Sequence, residues 1–261
     1  MQLAYFIIDA FTSQLFRGNP AAVCPLQAWL PDALMQQIAA ENNLSETAFL
    51  VPQDNAWQLR WFTPKTEIEL CGHATLATAY VLAQQDSSRS EFHFHTLSGE
   101  LIVTRSGDLF TLDFPARKLA SLSVEAQVAG MLGTAVHAVT EAAGIWIAEL
   151  ASEDAVCSLS PDFSRLRTLE CRAVCVTARG KTCDFVSRFF APKVGIDEDP
   201  VTGSAHCGLV PYWSRKLGKT TLHALQVSSR GGELWCELRG DRVLMSGRAV
   251  QYAEGRIFLG D

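Results

Sequence analysis

Arg60-Trp61-Phe62-Thr63-Pro64-Lys65 leads into Cys71-Gly72-His73-Ala74, and Arg188-Phe189-Phe190-Ala191-Pro192-Lys193 leads into Thr202-Gly203-Ser204-Ala205. Each stretch reads Arg-aromatic-Phe-x-Pro-Lys, then a short acidic loop, then Gly-x-Ala opening an apolar run. Phe62 and Phe190 stand 128 residues apart and Gly72 and Gly203 stand 131 apart, about half of the 261-residue chain. A strand, a loop and the start of a helix have been duplicated. The expectation is an α+β protein of two similar lobes, residues 1–113 and 114–248, packed closely around a cleft.

Outward from the first copy, Ala74 to Ala83 is apolar on every face apart from small threonines and a tyrosine, the signature of a buried helix. Strands with clear alternation surround it: Phe92 and Phe94 against His93 and His95, then Phe110, Leu112 and Phe114 against Thr111 and Asp113. A curved sheet wrapped around a central helix follows. Before it come a strand from Ala4 to Asp9, a turn at Arg17-Gly18-Asn19-Pro20, and a helix from Pro31-Asp32 to Asn42-Asn43 with Leu34, Met35 and Ile38 on one face.

In the second copy, Ser204 to Lys216 is the matching helix, with Gly218 as its stop. Pro211 inside it is expected to bend the helix or shift its start.

Composition narrows the function. A net charge of −6 with scattered basic residues gives no footprint for nucleic acid. No apolar stretch approaches the roughly 18 residues of a membrane span, and Asp9 interrupts the first apolar run, so no secretory signal is read. Eight cysteines without such a signal suggest reduced thiols and a cytoplasmic protein. Cys171, Cys175 and Cys183 are read as packed hydrophobes rather than metal ligands.

The chemistry is sought at the two glycine turns. A helix N-terminus exposes unpaired N–H groups and attracts carboxylate or phosphate. Gly72 and Gly203 let a ligand approach the backbone closely. Glu46, just after a helix and just before an apolar strand, is either a turn residue or a base whose neutral form is favoured by desolvation. His73 is a ligand or proton-transfer group, or a packed imidazole. Asp199 is a site residue or a turn aspartate before proline. Ser204 either donates to a ligand or caps the helix.

The strings Asp9-Ala10-Phe11-Thr12, Gly18-Asn19-Pro20-Ala21-Ala22, Ser45-Glu46-Thr47-Ala48-Phe49, Cys71-Gly72-His73-Ala74-Thr75 and Asp199-Pro200-Val201-Thr202-Gly203-Ser204-Ala205-His206 resemble the phenazine-biosynthesis PhzF-like family over essentially the whole chain. The resemblance implies the diaminopimelate-epimerase fold, with the C-terminal strand, about 249–261, returning to the first lobe. It also implies a homodimer and an isomerase that needs neither metal nor organic cofactor. Glu46 matches the family's proton-transferring glutamate. His73, Asp199 and Ser204 match its substrate-holding residues, and the glycines receive the substrate carboxylate.

One departure matters. Two-base epimerases of this fold place a cysteine at each helix start, whereas here Cys71 is answered by Thr202. The neighbouring Thr75, His206 and Cys207 are those of the broad, mostly uncharacterised branch, so phenazine synthesis is not implied.

The primary expectation is single-base proton transfer by Glu46 on a small carboxylic acid. A two-base racemase using Cys71, and a binding or interaction module that has lost its chemistry, are the competing readings. The substrate is not specified by these residues.

Overall fold

A computed structural model of the protein describes residues Met1–Gly260. The chain divides into two compact units, Met1–Asp113 together with Ser246 onward, and Phe114–Met245.

The first unit carries β1 (Gln2–Ala10), β2 (Asn19–Pro25), α1 (Asp32–Asn42), β3 (Glu46–Gln53), β4 (Ala56–Phe62), β5 (Glu67–Ile68), α2 (Gly72–Gln85), β6 (Glu91–Thr96), β7 (Gly99–Ser106) and β8 (Leu109–Pro115). The second carries β9 (Ala120–Leu122), α3 (Glu125–Leu132), β10 (Ala138–Ala142), β11 (Ile145–Glu149), α4 (Glu153–Cys157), α5 (Phe163–Leu166), β12 (Ala173–Arg179), β13 (Phe185–Ala191), β14 (Ile196–Asp199), α6 (Gly203–Leu217), β15 (Thr221–Gln226) and β16 (Gly232–Arg239). The division falls inside β8, after Asp113, and inside β17 (Arg242–Gly247), and β18 (Ala249–Phe258) belongs to the first unit.

Both units are wound in one pattern. In the first, β1 pairs antiparallel with β2, β2 parallel with β3, β3 antiparallel with β4, β4 parallel with β6, and β6 antiparallel with β7. In the second, β10, β11, β12, β13, β15 and β16 repeat the same sequence of senses. Each also adds an outer strand, β18 beside β1 and β9 beside β10, and a short strand folded back on β4 or β13.

The sheet of the first unit closes around α2, which touches β1, β2, β3, β7 and β18. Ten of its residues, from His73 to Ala83, are buried. That accounts for a sequence apolar all round: a helix enclosed by its own sheet has no wet face. On the other face of the strands, α1 packs Met35, Ile38 and Ala39 against Phe49 and Phe62.

The duplicated motif has a physical role. Arg60 makes a two-pronged ion pair with Glu67 at 2.7 Å through both Nε and Nη2, and its guanidinium lies 5.2 Å over the Phe62 ring. Arg188 does the same with Glu198, at 2.8 and 2.9 Å, with its guanidinium 5.0 Å over Phe190. In each unit a strand arginine thus fixes the acidic loop that leads into the buried helix. The planar, forked geometry suits arginine and not lysine.

The segment from Ala116 to Arg172 supplies β9, β10 and β11 and three short helices, whose apolar faces join one core with Val174, Val176 and Phe190. Pro211 lies inside α6 without shifting its start: the helix runs from Gly203 to Leu217, with Gly218 in the left-handed conformation as C-cap.

Candidate functional site

In the first unit, β2, β3 and the start of α2 bring four side chains together. Glu46 is the first residue of β3, paired with Ala21 of the parallel strand β2. Cys71 is the extended N-cap of α2, so Gly72 and His73 open the helix. Thr75 donates back to the Cys71 carbonyl at 2.5 Å and holds that first turn.

The result is a buried cluster: Glu46 is 8% exposed, His73 5% and Cys71 6%. His73 Nε2 lies 3.1 Å from Glu46 Oε2, close enough for strong charge attraction. Neither atom has an aligned hydrogen bond within the protein. On the other edge of the ring, Nδ1 lies 3.5 Å from Cys71 Sγ and 3.4 Å from Asn19 Nδ2.

Burial disfavours the charged form of His73, but the Cys71 sulfur and the Glu46 carboxylate beside it outweigh burial and hold its pKa well above the ordinary 6.5. Burial, with Glu46 nearby, pushes the Cys71 thiol up. The neighbouring groups thus favour the charged form of the His73 imidazole against its burial.

Glu46, Cys71 and His73 are also the one group of potential metal ligands that converges among the described residues. As arranged, the sulfur meets Nδ1 and the carboxylate meets Nε2, on different edges of the imidazole.

In the second unit, Thr202 is the N-cap of α6, in the same extended conformation as Cys71, and Gly203 and Ser204 open the helix. Ser204 is therefore not the cap. Thr202 donates its hydroxyl to Asp199 Oδ2 at 2.5 Å. His206, where α2 has Thr75, donates Nδ1–H to the Thr202 carbonyl at 2.8 Å. Burial lowers the His206 pKa to about 4, so this histidine is a neutral structural group.

Gln226 holds the loop before α6. Its carbonyl accepts from Thr202 N–H at 2.9 Å, and its amide donates to the Asp199 carbonyl at 2.8 Å and the Thr202 hydroxyl at 3.2 Å. Gly232 completes the support, because a Cβ there would fall 2.2 Å from Val201 Cγ2.

The sequence reading overlooked Gln226 and Asn19. Gln226 shares the inward parity of β15 with Leu222 and Ala224, and a polar residue in an apolar register was the available signal. Asn19 was read as part of a turn.

Strand register shows how far the two copies have diverged. Thr47 pairs with Phe62 as Val174 pairs with Phe190, so Glu46 corresponds to Ala173. Ala21 pairs with Glu46 as Ile145 pairs with Ala173, so Asn19 corresponds to Ala143. Cys71 and His73 correspond to Thr202 and Ser204. Glutamate, asparagine, cysteine and histidine have come together in one copy only.

Two duplicated units, each a curved sheet with a buried helix, define the epimerase and proline-racemase class of fold. A probable proline racemase from Agrobacterium radiobacter matches over 99% of this chain and 93% of its own at a TM-score of 0.67, with 10% identity. More specifically, the chain belongs to the PhzC-PhzF family, the phenazine biosynthesis-like proteins, whose family model matches residues 8–255. Two uncharacterised isomerases of Pseudomonas aeruginosa are 50% and 51% identical to it, over 99% of this chain and all of theirs. A crystal structure of a PhzF-family protein from Enterococcus faecalis superposes at a TM-score of 0.97 with 47% identity, covering 99% of this chain and 100% of that one.

Proposed function

We propose that this protein is a cofactor-independent isomerase that moves a proton within a small carboxylic-acid metabolite, with Glu46 as the base. Glu46 takes a proton from a carbon beside a carbonyl or double bond and returns it to another carbon. Electrons and atoms balance within the substrate, so no redox partner is required. His73 stabilises the carboxylate and supports proton transfer, with Asp199 as a further catalytic group. Gly72, Cys71, Gly203, Thr202 and Ser204 are assigned to substrate binding. The working enzyme is taken as a cytoplasmic homodimer, on the family resemblance.

The observation that carries this reading is the buried Glu46–His73 pair at 3.1 Å, whose facing atoms have no aligned hydrogen bond in the protein. Isomerase names among relatives about 50% identical support the reaction class. The test is incorporation of solvent deuterium into a panel of amino and hydroxy acids. Wild type is expected to label one of them, and Glu46→Gln to do so about 10²–10⁴-fold more slowly. Equal labelling by both proteins would remove Glu46 from the role.

The contact of Cys71 Sγ with His73 Nδ1 at 3.5 Å supports a second reading, a two-base racemase. The raised thiol pKa counts against it, because a base must be deprotonated to act. Cys71→Ser separates the two: inversion of a stereocentre lost in that variant favours the racemase, and full retention of activity removes it.

A further inference from the structure

We propose that Asn19 is a positioning residue for His73, its side-chain amide presenting either NH2 or carbonyl to Nδ1 and so holding the ring against Glu46 in both protonation states of the imidazole. Asn19 is wholly buried, and its Nδ2 lies 3.4 Å from His73 Nδ1. The two ends of an amide are nearly isosteric. Half a turn about its last bond exchanges a donor for an acceptor. A neutral imidazole needs a donor at Nδ1, whereas an imidazolium needs an acceptor there. Asparagine is a side chain that answers both from one place.

The backbone is built to aim it. Gly18 has φ +67°, and a Cβ on it would fall 2.2 Å from the Ala10 carbonyl oxygen. Pro20 follows, which holds Asn19 extended, and Asn19 pairs with Ala10 as the first residue of β2. In the second unit, where serine replaces the histidine, the place of Asn19 falls on Ala143 in the turn between β10 and β11. The asparagine accompanies the histidine and is absent without it.

The groups facing His73 are Asn19 from β2, Glu46 from β3 and Cys71 from the N-cap of α2. A hydrogen bond to an ion is stronger than one to a neutral group, so the two variants should move the histidine in opposite directions. In Asn19→Asp, a fixed acceptor with negative charge should raise the His73 titration midpoint by about one unit or more, a tenfold change in proton affinity. In Asn19→Leu, the imidazolium loses its partner at Nδ1 and the midpoint should fall.

The measurement is side-chain NMR of His73 across pH in the free protein, which needs no substrate. Asn19→Asp is nearly isosteric and tests the idea even if Asn19→Leu fails to fold. Midpoints of folded variants that match wild type would overturn the proposal, as would shifts of both in one direction. A kinetic arm rests on the reading of Glu46 as base: deuterium incorporation should lose kcat about tenfold in Asn19→Leu with KM nearly unchanged. If Glu46→Gln is fully active while the NMR shifts appear, that reading of the reaction fails and the role of Asn19 stands.

Discussion

At the scale of single residues, charge decides how Glu46 and His73 behave. Glu46 meets a histidine that arrives from another element 27 positions later, a neighbour that no local pattern around Glu46 announces. With the imidazole pKa raised in the fold, the pair's contribution to stability is complete below the unfolded value of about 6.5 and is lost as pH rises through the folded value. His73→Gln strands a buried carboxylate, and breaking such a pair typically costs about 3–5 kcal/mol. Urea unfolding of wild type and His73→Gln should therefore differ most below about pH 6.5, with the difference shrinking as pH rises above it. Glu46 and His73, which the fold brings together, could be singled out because each belongs to a short motif. Asn19 was hidden because nothing local to Gly18-Asn19-Pro20 distinguishes a turn residue from a buried amide aimed at a ring 54 positions away.

At the scale of elements, α2 could be read as buried from its composition, since a helix without a polar face has one place to go. The segment Ala116–Arg172 could not, because β9 has only three residues and α4 and α5 five and four, too short for a periodic signal. α6 carries two predictions. His206 is buried and neutral with a pKa near 4, below its unfolded value, so the unfolded chain binds the extra proton between those values. Stability should fall as pH drops from about 6.5 to 4, by about 3 kcal/mol at most, and His206→Gln should flatten that limb of the denaturation profile. Gln226→Leu removes the acceptor of the buried Thr202 N–H and one donor to the Asp199 carbonyl, at about 1–3 kcal/mol for the buried N–H. A lowered urea midpoint with unchanged m-value is expected.

At the scale of the whole molecule, the first unit depends on both ends of the chain. β18 pairs with β1 from Gln2 opposite Phe258 to Ala10 opposite Ala249. A chain ended after Arg248 exposes that edge and should lose its cooperative thermal transition, measured by circular dichroism. The thiols give an independent check of packing. Cys157 is exposed and Cys183 partly so, while the other six are buried. A thiol reagent should titrate Cys157 first in the native protein and all eight after unfolding. The register of the two copies has a consequence for what can be made from this chain. Thr202→Cys, Ser204→His and Ala173→Glu are single exchanges at matched places, but Ala143 occupies a two-residue hairpin turn where the first copy spends eight residues, Phe11–Gly18, reaching Asn19. Restoring a mirror-image acid/base set therefore calls for an inserted loop as well as new side chains. A substitution library alone cannot retrace the route back to symmetry.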